Sequence, residues 1–127
     1  MTRIILRPTV AADLPQVTSE PLPYRIRAIT ALAGDRVLGV GGIGFRPDGV
    51  VIAFVHMIDE ARQYPLAIHR AGLMAMAMIR ESGVPFVVAE AQPNNPAAGP
   101  WLLRLGFRLS EFAGQTAFVW ERAAHVD

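Results

Sequence analysis

The hydrophobic positions fall into strand-like and helix-like runs, and one stretch carries both. From Val51 to Met57 every residue except His56 is apolar, the pattern of a strand buried on both faces. A short polar turn follows, and the apolar residues of Pro65–Ser82 predict a long helix. Pro65 suits the first turn, where its missing N–H costs nothing. Gly83 suits the stop, with Arg80 in the last turn. At roughly 1.5 Å per residue the helix spans about 27 Å, enough to cross a small sheet. Its first turn points free N–H groups at whatever lies above the strand end, a natural anion site.

The rest of the chain arranges itself around that unit. Arg3–Arg7 reads as a strand. Asp13 is placed to cap a short helix with Pro15 in its first turn. Ser19–Tyr24, with two prolines, reads as a loop; its Glu20 and Tyr24 read as surface residues, the alternative being a place at the border of an acceptor pocket. Arg25–Leu32 and Arg36–Phe45 read as antiparallel strands joined at Gly34-Asp35. Pro47-Asp48-Gly49 makes a turn into the central strand. After the long helix, Phe86–Ala91 reads as a short buried strand, parallel to Val51–Met57 by the right-handed crossover rule. Asn95 and Pro96 mark a helix start. Pro100 fits poorly inside that helix, which moves its expected beginning toward Gly99 and its end to Gly106. Phe107–Phe112 and Thr116–Glu121 close the chain as a hairpin around Ala113-Gly114-Gln115. The order β-α-β-β-β-α-β-α-β-β predicts an α/β (α+β) fold, a mixed and mainly antiparallel sheet with helices packed on it.

Composition narrows the chemistry. The chain has 127 residues, 52% of them hydrophobic, which fits one domain, 1–127, with a real core rather than disorder. The apolar segment Ala71–Ile79 is too short to span a membrane, and MTRIILRPT lacks a signal peptide's apolar core, so the expected location is cytoplasmic. A net charge of +1 gives no reason to expect nucleic acid. There is no Cys, and all twelve basic residues are Arg. Thiolate chemistry, a Schiff base and a P-loop lysine are therefore excluded. His56, His69 and His125 have no metal-ligand spacing, and no metal is expected.

Gly39-Val40-Gly41-Gly42-Ile43-Gly44 matches G-x-G-x-x-G letter for letter. A dinucleotide site needs a helix opening inside the motif; here a turn and another strand follow. The glycines are therefore expected to lie in a strand that approaches a neighbour closely.

Two further stretches carry more. Arg62-Gln63-Tyr64-Pro65-Leu66-Ala67 precedes the long helix, and Asn95-Pro96-Ala97-Ala98-Gly99-Pro100-Trp101-Leu102-Leu103-Arg104-Leu105-Gly106-Phe107 follows the short strand. With the element order, these make the chain resemble the GNAT superfamily of N-acetyltransferases. That family carries Q/R-x-x-G-x-G/A before the helix and N-x-x-A-x-x-L-Y-x-x-x-G-F after the fifth strand. Arg62 and Ala67 fall at the ends of the first pattern; Asn95, Ala98, Gly106 and Phe107 keep the spacing of the second. Two departures stand out. Pro65 occupies the place of the central glycine, removing an N–H and adding bulk. Leu102 stands where the family's tyrosine acts as general acid, with Trp101 before it.

The resemblance implies acetyl-CoA as donor and an amine, small molecule or peptide, as acceptor. It implies a cofactor site from Met57 and Ile58, whose backbone would hold the pantetheine, through Arg62, Gln63, Tyr64, Pro65, Leu66 and Ala67 around the pyrophosphate. Asn95, Ala98 and Trp101 would border it. His56 and Glu90, near the ends of the two strands that splay apart in this fold, are the candidate bases; their alternative role is structural, in the core and at a strand end. Tyr64 and Trp101 could stack on an adenine or simply pack. The apolar run Leu73–Ile79 exceeds what one core face needs, which leaves room for a homodimer partner or a covering layer; its methionines suit irregular gaps, and core packing is the default reading. The competing functional reading is a GNAT-fold binding or structural module that has lost turnover, of phage or prophage origin.

Overall fold

The computed structural model describes residues 3–20, 22, 24–89 and 98–122. Seven strands form one sheet: β1 (Ile4–Pro8), β2 (Arg25–Ala33), β3 (Arg36–Phe45), β4 (Val51–Met57), β5 (Phe86–Ala89), β6 (Arg108–Phe112) and β7 (Gln115–Glu121). Their spatial order is β1-β2-β3-β4-β5-β7-β6. Every neighbouring pair is antiparallel except β4 and β5, which run parallel. The crossover between those two is α1 (Pro65–Ser82), as the hydrophobic pattern predicts. A second helix, α2 (Ala98–Arg104), precedes the final hairpin.

Helix α1 starts and stops where its caps dictate. Pro65 opens it, and Gly83 ends it with φ +79°, a left-handed conformation that suits glycine. Arg122 completes the stop. Its guanidinium donates to the Ile79, Arg80 and Val84 carbonyls at 3.3, 2.7 and 3.1 Å. A cation thus meets the negative end of the helix dipole and satisfies carbonyls left over by the last turn.

Each face of the sheet buries a different set of side chains. Ile43 packs with Met76 and Ile79 of α1, with Leu102 of α2, and with Val51, Val87, Phe118 and Trp120. Val40, three residues earlier in β3, faces the other way. It joins Ala28, Leu32 and Val37 under Leu14, Val17 and Phe54. Gly39–Gly44 is strand, as its context requires, and Gly42 shows why small residues are needed. A Cβ there would lie 2.1 Å from the Arg27 carbonyl oxygen and 2.6 Å from the Ala28 Cα. Both are backbone atoms in the strand paired opposite, so relief requires moving β2. Gly42→Ala should destabilise the protein by about 1–3 kcal/mol, the range for forced overpacking, measured by urea unfolding.

Several local expectations are corrected. The first helix is a single 3-10 turn, Leu14–Gln16, and Asp13 makes no side-chain cap bond to it. Asp13 is 2% exposed, and Arg7 grips its two carboxylate oxygens at 2.7 and 2.9 Å. The Val10 N–H and the Thr30 hydroxyl donate to it at 2.9 and 2.8 Å. A buried charge is better satisfied by this set than by one cap bond. The polar turn before α1 is also a 3-10 helix, Asp59–Gln63. Gln115 belongs to β7 rather than to the hairpin turn, where Ala113 and Gly114 both have positive φ, as a two-residue type I′ turn demands. Helix α2 stops at Arg104 rather than Gly106, and Pro100 lies within its described span. Tyr24 is half-buried against Gly44 rather than a surface residue. The described part of β5 ends at Ala89; Glu90, Asn95 and Pro96 lie outside the described residues.

The Asp13 cluster makes stability depend on acidity. Its hydrogen bonds from Arg7 hold the carboxyl well below the usual carboxylate range, with Val10 and Thr30 acting the same way and burial opposing them. A depressed folded pKa contributes stability that is complete above the unfolded value, near 4, and is lost as pH falls below it. Unfolding free energy should therefore drop between neutral pH and about pH 3, and the drop should be shallower in Asp13→Asn. Asp13→Ala should cost about 1.5–3 kcal/mol at neutral pH, the worth of hydrogen bonds to a charged group.

Candidate active site

Strand β4 has unequal neighbours. β3 pairs with it along its whole length, from Val51 to Met57. The described pairing of β4 with β5 is at Ile52 and Ala53, and the chain after Ala89 lies outside the described residues. The phase of the ladder shows which groups face the β5 side. Ile58 N–H donates to the Leu38 carbonyl at 2.9 Å, and in an antiparallel ladder alternate residues share that direction. Even-numbered residues of β4 thus bond to β3, while Val55 and Met57 turn their N–H and C=O groups toward the β5 side. This corrects the expectation for Ile58, whose N–H is committed to the sheet. β4 is also not buried on both faces: Val55 and Met57 are 43% and 38% exposed.

The two faces of this end of β4 differ. Val55 and Met57 lie opposite Gly41 and Gly39 in β3, on the face that carries α1. His56 lies opposite Val40, on the face without α1. Its ring is half-buried and stands 6.0 Å from the Phe54 ring, tilted by 41°.

The N-terminus of α1 lies just beyond the end of β4. Tyr64 precedes it without a side-chain cap bond. Tyr64 N–H donates to the Ala61 carbonyl and Ile68 N–H to the Tyr64 carbonyl, both at 3.0 Å. Pro65 has no N–H. That leaves Leu66 and Ala67 as the N–H groups of this turn without an acceptor among the described residues. Arg62 and Gln63 are exposed at the end of the 3-10 helix. The turn is thus a small anion site with two free donors and a cation beside it. Two concavities, of about 620 and 280 Å³, lie away from this region, one where β1 stops at Pro8 and the other beside Phe86 and Phe112.

No family model and no curated protein matches the sequence. Solved structures do match. An N-acetyltransferase from Staphylococcus aureus superposes with a TM-score of 0.71 at 12% identity, covering 94% of this chain and 99% of its own. A Bacillus subtilis acetyltransferase in complex with CoA gives 0.65 at 15% identity, covering 95% and 99%. A Bacillus anthracis protein described as a streptothricin acetyltransferase, in complex with acetyl coenzyme A, gives 0.65 at 14%, covering 93% and 96%. The fold is that of the GNAT N-acetyltransferases.

Within the GNAT frame, the second motif turns inward. Leu102, at the position of the GNAT tyrosine, is buried in the core beneath α2, so no hydroxyl is available from that residue. Trp101 is half-buried, and its indole Cζ2 lies 2.7 Å from where a Gly72 Cβ would sit. It locks α2 against α1, which favours packing over adenine stacking. Tyr64 likewise packs beside Leu38 and Ala61. Ala98 begins α2, and Asn95 and Glu90 lie outside the described residues. Sequence reasoning missed Val55, whose outward backbone depends on ladder phase. The signal is the alternation itself: Met57 shares its ladder direction with Val55, two residues before it.

Proposed function

We propose that this chain is an acyltransferase of GNAT type that takes an acetyl group from acetyl-CoA and passes it to an amine. The ladder phase of β4 carries the reading. It turns the Val55 and Met57 backbone groups toward the β5 side, one element before the Leu66 and Ala67 N–H groups, which have no acceptor among the described residues.

Acetyl-CoA would supply the acyl group as a thioester. The N–H groups at Val55 and Met57 would hold the pantetheine arm and polarise the thioester carbonyl. Leu66 and Ala67, with Arg62, would meet the phosphates from the α1 side. The acceptor would approach from the face that bears His56. As the amine nitrogen bonds to the carbonyl carbon and the C–S bond breaks, the imidazole of His56 would receive the nitrogen's proton. Glu90 is the second candidate for that role. With Leu102 in the place of the tyrosine, the departing thiolate would take its proton from water.

The test is a thermal-shift titration with acetyl-CoA and with free CoA. A binder gains RT ln(1 + [L]/Kd), about 2.7 kcal/mol at a hundredfold excess over Kd. Absence of any shift with both ligands would remove the proposal. If both bind, His56→Ala should leave the shift intact and slow acetylation of an amine panel by about 100-fold or more, the usual contribution of a general base.

A further inference from the structure

We propose that the concavity where β1 stops is a binding site for a small carboxylate with an apolar body. β2 starts at Arg25, well before Ile29, the residue that pairs with Pro8 at the end of β1. Thr9 N–H donates to the Ala28 carbonyl at 3.0 Å. Alternate residues of such a strand share that direction, so the Ala28 N–H and the Ile26 N–H and C=O also point away from β3. None of these three groups has a partner among the described residues. A concavity of about 620 Å³ lies over them, within the roughly 300–1,000 Å³ of small-molecule sites. Leu14 and Ile26 line it from the cluster on one face of the sheet, and Met78 of α1 from the cluster on the other. Apart from Thr9 and Arg27, the described lining residues are apolar.

The wall is built before any ligand arrives. The Thr9 hydroxyl lies 2.8 Å from that of Thr30, and the Val10 N–H donates to Asp13 at 2.9 Å. Val10 is nevertheless 54% exposed, an apolar side chain on a fixed backbone that a ligand covers at little ordering cost. The polar groups select the ligand's charge. Arg27 is exposed and makes no ion pair among the described residues. With the Ile26 and Ala28 N–H groups it offers one cation and two amides, against the single free carbonyl of Ile26. Asp13, behind the wall, is already gripped by Arg7. A carboxylate matches these donors, and an apolar body fills the space between Leu14 and Met78. An ammonium would meet one carbonyl and a like charge. Ile26 pairs with Gly44, and Gly44 with Ile52, at the opposite end of β4 from His56. The site is thus separate from the one assigned to acetyl-CoA and does not rest on that activity.

Octanoate is the probe, with octanol and octylamine as its neutral and cationic counterparts. In two-dimensional NMR on the full chain, octanoate should shift the Ile26 and Ala28 amides and the Met78 methyl in a saturable way. Octanol, without the charge-assisted hydrogen bonds, should bind about tenfold more weakly, and octylamine more weakly still. Arg27→Gln should weaken octanoate about two- to fivefold, the worth of a solvated charge, and flatten its salt dependence. Val10→Asp sets a like charge at the rim and should weaken it about tenfold or more. Excess CoA should leave the octanoate shifts unchanged. The proposal is overturned if octanoate shows no saturable binding, or if its shifts fall on Leu73 and Met74 of α1 instead. It is also overturned if octanol binds as well as octanoate, or if CoA displaces octanoate. The shifts are read on the unaltered chain, so they decide the matter even if a variant fails to fold.

Discussion

Trp120→Ala is expected to lower the unfolding free energy by about 3–5 kcal/mol, the range for removing a buried aromatic side chain. Trp120 is 1% exposed and is the largest fully buried side chain among the described residues. It sits in β7 directly opposite Val87 of β5, within the cluster that joins both strands to Met76 and Ile79 of α1 and to Leu102 of α2. That cluster holds β5 beside β4 and both helices over the sheet, so loosening it should also disturb the end of β4 that the proposed function uses. Under that reading, stability loss should be accompanied by weaker acetyl-CoA binding. A Trp120→Phe variant, which keeps much of the volume, should lose less of both. Chemical denaturation gives the first quantity and calorimetry the second. A loss below about 1 kcal/mol in Trp120→Ala would mean that this cluster is far looser than a packed core.

What the sequence made legible were the elements with strong local instructions. Helix α1 runs from Pro65 to Ser82 because a proline and a glycine bracket an apolar run. Strand β3 spans Arg36–Phe45 because turn residues stand on either side. The parallel pairing of β4 with β5 followed from one right-handed crossover. What stayed hidden is decided at longer range. Asp13 looks like a cap when read with its neighbours; its burial depends on Thr30, seventeen residues away, and on the β1 arginine. Val51–Met57 looks buried throughout because apolar residues do not reveal which of them a neighbour covers. Val55 and Met57 are exposed, which no property of their own side chains announces. The 3-10 helix at Asp59–Gln63 has no periodicity long enough to announce itself. In the candidate site the sequence names Met57 and Ile58 together, and only the ladder phase separates the one whose backbone faces the β5 side from the one committed to Leu38.

Pro65→Gly is expected to tighten CoA binding. In the unaltered chain the turn offers the N–H groups of Leu66 and Ala67, since Tyr64 N–H is bonded to Ala61 and Pro65 has none. Glycine at 65 adds a third donor beside them and removes the ring that holds a phosphate off the backbone. One hydrogen bond to a charged group is worth about 1.5–3 kcal/mol, and the greater freedom of glycine in the unfolded chain offsets about 0.4–1 kcal/mol of stability. The two effects separate experimentally: the variant should melt lower without ligand and bind CoA about tenfold more tightly. Arg62→Ala acts the other way and more weakly. Its side chain is exposed at the end of the 3-10 helix, where a solvated charge contributes about 0.2–1 kcal/mol, so affinity should fall about two- to fivefold and the fall should shrink in high salt. Dephospho-CoA keeps the pyrophosphate and should show the same gain in Pro65→Gly, whereas pantetheine lacks phosphate and should bind both proteins alike. Isothermal titration of the three proteins with the three ligands decides it. A Pro65→Gly variant that improves pantetheine as much as CoA would show that the turn acts through backbone flexibility and not as a phosphate site.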